Sequence, residues 1–525
     1  MPENARRPAR RLLRGGLVLT PDADHATALA YEGERIVWVG PEAQADSLAP
    51  DADEVVALEG ALVTPGFVDA HVHLAQTGFN ARGVDLAPAR SRGEALDLLA
   101  AHAERHNDDV LFAYGWDDTR WPDERFTRED VDRAIGHRVG YVCRVDAHSA
   151  VVSTRLLERA PGVAQREGWK PDGWVERDAH HAVRRAVDGL LGPHQRKQAL
   201  TRALRSAAAV GLVSVHELGA PHLSQPQDFA TIAQLRAEEP LPHVATYWGE
   251  LDAFDLAKHF GVTGLGGDLC CDGAIGSRTA ALNAPYSDAP HTSGHLYLER
   301  SDVRSHVLAC TARGLQAGFH VIGDRAADAV IGGFADAAEK LGETAVRRCR
   351  HRIEHAELLS PEAVATMARL GLCASVQPSF DAAWGGGDGL YDLRLGPERA
   401  ALMNPYADLH RAGVPLAFGS DTPITPMDPW HGVRSAVTHR THAQRLSPAA
   451  AITAHTRTGW QAAGHDGHGT LTVGAPASYA VWDGAPGDMS LRERLGRVLS
   501  GEQVRCRTTV LAGRVLHHMD EVRTP

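Results

Sequence analysis

Thr64-Pro65-Gly66-Phe67-Val68-Asp69-Ala70-His71-Val72-His73-Leu74 runs from apolar residues into two histidines one residue apart. In an extended strand, residues i and i+2 share a face. At a strand end, His71 and His73 can therefore turn two neutral imidazoles toward one metal ion. The spacing alone is weak, because 29 His in 525 residues give about 1.6 such pairs by random placement. Its meaning depends on what the rest of the chain carries to the same place.

Downstream, short apolar runs alternate with helical stretches, the order that builds a parallel sheet. Strands are predicted at Phe67–His71, Leu212–His216, His243–Tyr247, Asp268–Asp272, Gly318–Ile322, Arg350–His355, Leu372–Gln377 and Leu416–Ser420. A helix over Leu200–Val210 stops at Gly211. Another starts after Asp324, sets Val330, Phe334, Ala337 and Leu341 on one face, and ends at Gly342. Eight such units predict an α/β fold, a (β/α)8 TIM-type barrel over residues 66–467. The apolar runs Val110–Tyr114 and Gly140–Val145 exceed that count, so residues 76–196 are read as an insertion over the barrel mouth.

Both ends of the chain have a different texture. Leu17–Thr20, Leu29–Tyr31, Arg35–Val39 and Val55–Leu58 are short β-type runs divided by turn residues, as are Gly469–Gly474, Tyr479–Asp483 and Thr508–Val515. Residues 1–65 and 468–525 together predict one small β-sandwich domain formed by both chain termini. The basic start (Arg6, Arg7, Arg10, Arg11, Arg14) is too broken by glycine and aspartate for a signal or membrane segment.

Composition narrows the partners. A hydrophobic content of 43% and a charged content of 23% describe an ordinary soluble globular protein. The net charge of −12 is spread without a basic patch, which argues against nucleic acid and anionic membranes. Seven cysteines without a C-x-x-C argue against a disulfide framework or zinc ribbon and suit a reducing, cytoplasmic location. The expected partner is a small-molecule substrate, and a homodimer is allowed.

In a barrel of this kind, catalytic groups stand at the C-terminal ends of strands. His71 and His73 close the first predicted strand, His320 lies in the fifth, His355 closes the sixth and Asp421 follows the eighth. Each alone reads as a hydrogen-bonded structural residue or a turn former. Together, four imidazoles and one carboxylate form a donor set for Zn²⁺, with Fe²⁺, Co²⁺ or Mn²⁺ also admitted.

These blocks carry a resemblance. Asp69-Ala70-His71-Val72-His73, His320 with Ile322-Gly323-Asp324-Arg325-Ala326, Arg352-Ile353-Glu354-His355-Ala356 and Gly419-Ser420-Asp421 resemble the amidohydrolase superfamily. Gly115-Trp116-Asp117 and Asp272-Gly273-Ala274-Ile275-Gly276-Ser277-Arg278 are similar to its family 3 branch, which includes N-substituted formamide deformylases. The resemblance implies His71, His73, His320 and His355 as metal ligands and attack by a metal-bound hydroxide. It implies Asp421 as a further ligand and as the group that takes the water proton and passes it to the leaving nitrogen. The branch commonly has a lysine, carbamylated to bridge two metals, where this chain has Asp268. Asp is much shorter, so one metal is favoured, or two if the strand moves inward and Asp268 bridges.

Other residues are candidates from their types. Glu176 offers an oxygen from the insertion or a solvated helix-start carboxylate, and Cys270 a thiolate or plain core packing. Trp116, Trp121, His148, Arg278, Gln377 and Trp384 are candidate substrate contacts, Arg278 through its bidentate fork. The leading reading is a metal-dependent hydrolase of non-peptide carbon–nitrogen bonds in a small N-substituted amide, formamide or cyclic amide. Hydrolytic deamination, ester or lactone hydrolysis, and a catalytically weak metal-binding barrel remain as alternatives.

Overall fold

The computed structural model describes residues 9–23, 25–484 and 489–519. Arg6, Arg7 and the outer ends of the predicted terminal segments lie outside the described residues.

Eight parallel strands form the barrel: β1 (Phe67–Val72), β2 (Leu212–Gly219), β3 (His243–Trp248), β4 (Gly264–Leu265), β5 (Gln316–Val321), β6 (Arg352–His355), β7 (Cys373–Val376) and β8 (Leu416–Phe418). They pair in sequence order from β1 to β8. Every residue of β1, β2 and β5 is buried, as expected for parallel strands with helices on one face and a filled interior on the other. Helices between them bury one stripe each. In Asp324–Leu341, Val330, Phe334 and Ala337 are buried as predicted, whereas Leu341 is 37% exposed in the last turn.

The sheet is nearly closed, and the seam between β8 and β1 lies at the mouth. Asp421 N–H donates to His71 O (2.8 Å), and His73 N–H donates to Thr422 O (3.0 Å). Gly419 makes that approach possible: a Cβ there would stand 2.6 Å from His71 Cβ.

The fourth predicted strand, Asp268–Asp272, is corrected by the structure. Pairing ends at Leu265, and beyond it only an isolated bridge joins Cys270 to His320. The reason is local: Gly267 takes a left-handed φ of +80°, which breaks the ladder and turns the chain across the barrel mouth.

Val110–Trp116 and Val139–Arg144 are parallel neighbours inside a separate five-stranded sheet in the insertion. That sheet has its own core, with Trp116, Phe126, Val131 and Trp174 among its buried residues. At the chain ends, Ala61–Pro65 pairs antiparallel with Tyr479–Gly484 in a second five-stranded sheet. A four-stranded sheet from residues 10–57 shares a buried cluster with it, including Leu13, Leu29, Tyr31, Val63, Val481 and Val510. Arg10, Arg11 and Arg14 pair with Glu32, Glu54 and Glu42 along this region. Gly469–Gly474, predicted as a strand, is a turn that buries Leu471 against the same cluster. Among the described residues no helix is long and apolar enough to cross a membrane.

Candidate metal centre

Six side chains from five places in the barrel converge at its C-terminal mouth. His71 and His73 come from the end of β1, His320 from β5, His355 from β6, Asp421 from the turn after β8 and Asp268 from the turn after β4. Asp268 stands in the middle. Its Oδ1 is 3.4 Å from His71 Nε2, 3.5 Å from His320 Nδ1 and 3.7 Å from His355 Nε2. Its Oδ2 is 3.1 Å from His73 Nε2. Asp421 Oδ1 completes the group, 3.4 Å from His71 Nε2 and 3.1 Å from His73 Nε2. The sequence leaves open whether so short a side chain reaches this point; the turn at Gly267 carries it there.

Each imidazole is fixed from behind, which decides the nitrogen it presents. His71 Nδ1–H donates to Glu354 (3.1 Å), His73 Nδ1–H to Leu218 O (3.1 Å) and His355 Nδ1–H to Gln377 Oε1 (2.9 Å). His320 is reversed, donating from Nε2 to Gly273 O (3.3 Å). Glu354 is locked in turn by Arg352 through a two-pronged contact of 2.8 and 3.0 Å.

His71 Nε2, His320 Nδ1, His355 Nε2, Asp268 Oδ1 and Asp421 Oδ1 are all buried without a hydrogen-bond partner. Orphaned polar atoms of this kind are costly unless something binds them. Three overlapping triads hold their donor atoms within 4.8 Å: His71/His355/Asp421, His71/His73/Asp268 and Asp268/His320/His355. Imidazole nitrogens and carboxylate oxygens at this separation fit a divalent cation. The two carboxylates make the cluster favourable to positive charge. Burial alone would push His73 down, but Asp268 and Asp421 outweigh it and bring it up to about 9. Burial pushes Asp421 up, but His71 and His73 overcome it and hold the carboxyl well below its ordinary range.

A cavity of about 390 Å³ opens beside the cluster, lined by His148, Ile275, Glu357, Phe380, Trp384 and Asp421 among others. Of the proposed substrate contacts, His148 and Trp384 are here, and the His148 ring lies 5.2 Å from that of His320. The other four do not line it. Trp116 is fully buried in the insertion's core, its indole donating to Val142 O. Arg278 spends its fork on Asp288 at 2.7 and 3.0 Å. Gln377 sits behind His355 as a positioning residue. Trp121 packs against Trp116 and Phe126. Glu176 accepts from the Trp174 indole, and Cys270 Sγ lies 3.9 Å from His222 Nε2, so neither joins the cluster.

Sequence reasoning missed Glu354 and Glu357. Glu354 was legible in principle: it alternates with Arg352 on one strand, and opposite charges inside a barrel must face each other. Burial pushes Glu357 up to about 8, and it accepts from Tyr391 (3.0 Å). No spacing in the sequence marks it.

A parallel barrel with imidazoles and carboxylates gathered at its C-terminal mouth defines a metal-dependent hydrolase. The profile of the Amidohydrolase family matches residues 54–517, and the chain belongs to that family. It is 27% identical to Protein LONG AFTER FAR-RED 3 of Arabidopsis thaliana, over 91% of this chain and 89% of that one. To the putative amidohydrolase YtcJ of Bacillus subtilis (strain 168) it is 27% identical over 83% and 84%. With the N-substituted formamide deformylase of Arthrobacter pascens the identity is 24% over 91% and 94%. Among solved structures, an uncharacterized metal-dependent hydrolase from Pyrococcus horikoshii OT3 superposes with a TM-score of 0.73 at 25% identity, covering 91% of this chain and 98% of that one.

Proposed function

We propose that this hydrolase cleaves a carbon–nitrogen bond other than a peptide bond, in a small N-substituted amide, formamide or cyclic amide. The observation that carries the reading is Asp421, an ionised carboxylate with an unbonded Oδ1 at the wall of a small, largely apolar cavity. The similarity to a formamide deformylase supports the choice of bond.

His71, His73, His320, His355, Asp268 and Asp421 hold the metal in this reading, Zn²⁺ being the ion that suits nitrogen-rich donors best. A divalent cation there supplies Lewis acidity, polarising the scissile carbonyl and making water acidic near neutral pH. Asp421 positions the attacking water, takes its proton on the carboxylate and delivers it to the leaving nitrogen, since an amine leaves poorly unless protonated. His148 is kept neutral by burial and by the His320 imidazole, and it faces the cavity as a hydrogen-bonding group for the substrate. Ile275, Phe380 and Trp384 exclude bulk water. The two sheets from the chain ends form one small β-sandwich domain in the same reading.

Purified protein is expected to carry bound metal, to release amine or formate from an N-formyl and N-acyl amide panel, and to lose that activity on chelation. Turnover confined to lactones, or ammonia release from amino-substituted rings alone, overturns the choice of bond. Asp268→Ala is expected to weaken metal binding by more than about a hundredfold, beyond what losing a mere supporting hydrogen bond costs. Metal analysis after dialysis reads this, and unchanged content removes Asp268 from the ligand set.

A further inference from the structure

A second cavity, of about 660 Å³, lies between the insertion and the barrel mouth. Ile424, three positions beyond Asp421, lines both this space and the smaller one. The strip Arg144-Val145-Asp146-Ala147-His148 forms the shared wall: Arg144, Val145 and Ala147 face the larger cavity, Asp146 and His148 the smaller. Phe79, Phe112, Tyr114 and Tyr141 give the larger space an aromatic lining.

The charges in that lining are balanced except at one place. Arg144 is neutralised by Asp117, Asp118 and Asp146 at 2.6, 3.1 and 3.1 Å. Asp188 is taken by Arg196. Arg184, on the buried stripe of helix Arg177–Asp188 with His180, Val183 and Val187, is only 7% exposed. Its Nε has no partner, and Nη1 makes one long hydrogen bond, 3.4 Å, to Ala147 O. Among the described residues no carboxylate lies within 4.0 Å of its guanidinium. A buried guanidinium without a counter-charge is strongly unfavourable, and its planar fork matches a carboxylate.

We propose that the larger cavity is the acid-recognising half of the substrate site, where Arg184 receives the carboxylate of an amide whose apolar body lies against the aromatic wall. This names the substrate class within the hydrolase reading above and rests on it. Substrates are small acidic amides of the N-acyl or N-formyl amino-acid type, with the amide at Asp421 and the carboxylate beyond Ile424.

The test uses two probes of matched shape, 3-phenylpropionate and 3-phenylpropionamide, titrated calorimetrically into the metal-loaded and the chelated protein. The acid is expected to bind about tenfold or more tightly than the amide, the scale of one charge-assisted hydrogen bond. That preference should survive chelation. Arg184→Met should bring the ratio to about one, and Arg184→Lys should keep part of it. Equal binding by the wild type, a preference that disappears on chelation, or a ratio kept by Arg184→Met each overturns the proposal. The first two need no variant to fold. Formate release from N-formyl-L-phenylalanine against N-formyl-L-phenylalaninamide should show the same ordering. Acid preference without turnover of any amide would overturn the hydrolase's assigned bond and leave the anion site standing; amide turnover without acid preference would do the reverse.

Discussion

Asp421→Asn is expected to lower kcat by about 10³-fold or more while the fold is kept, near the upper range for a proton-transferring side chain. The substitution is nearly isosteric, and the backbone N–H of residue 421 still closes the seam onto His71 O. The amide cannot take a proton, so both the attacking water and the leaving nitrogen lose their relay. Because Oδ1 also faces His71 and His73, metal content must be measured alongside the rate. A loss of kcat with metal retained assigns the effect to proton transfer. A variant with near wild-type kcat removes Asp421 from the chemistry.

Arg352→Met is expected to cost about 3–5 kcal/mol of stability, the usual penalty for stranding one partner of a buried ion pair. Arg352 is fully buried under the site and binds in several directions. It holds Glu354, donates to His216 Nδ1 (2.7 Å), Ala70 O (2.7 Å) and Ser375 Oγ (3.0 Å), and lies 4.6 Å from the centre of the Tyr247 ring. One guanidinium thus ties β6 to β1, β2, β3 and β7. With it gone, Glu354 keeps only the His71 N–H as a partner in the interior; its carboxyl now stands at about 2 because Arg352 and His71 outweigh the burial that pushes it up. The denaturant midpoint reads the loss. The double variant Arg352→Met, Glu354→Leu should recover much of the stability, since no unpaired charge remains. It should still bind metal about 10–100-fold more weakly, because His71 has lost the carboxylate that orients it. If both variants unfold alike, pairing is not what Arg352 contributes.

Most of the barrel is legible in the sequence because its strands are continuous apolar runs ended by polar residues, and parallel strands buried on both faces must read that way. β4 is the exception. Its two paired residues are followed by Gly266 and Gly267, while the more strand-like Asp268–Asp272 lies beyond the break. The histidines announce themselves by their place at strand ends. That Asp268 meets all four imidazoles could not be read, since it depends on a left-handed turn that only the assembled barrel fixes. Trp116 and Arg278 mislead for one reason: aromatic and guanidinium groups serve cores and ion pairs as readily as ligand sites. For Arg278 the partner stood ten residues away, at Asp288. Arg184 gave no signal, because its meaning is the lack of a partner.

The seam between the first and last barrel strands has a consequence for biosynthesis. Asp69 accepts from the backbone of Ser420, a residue 351 positions later. At translation rates of about 5–20 residues per second, roughly 20–70 s separate the emergence of the two. During that interval the nascent chain carries His71 and His73 without the turn that bears Asp421, so the ligand cage cannot close. If the proposed ligand set holds, metal capture by the finished cage is a late event, and a chain released early exposes half of that set and an unpaired strand edge to the folding machinery.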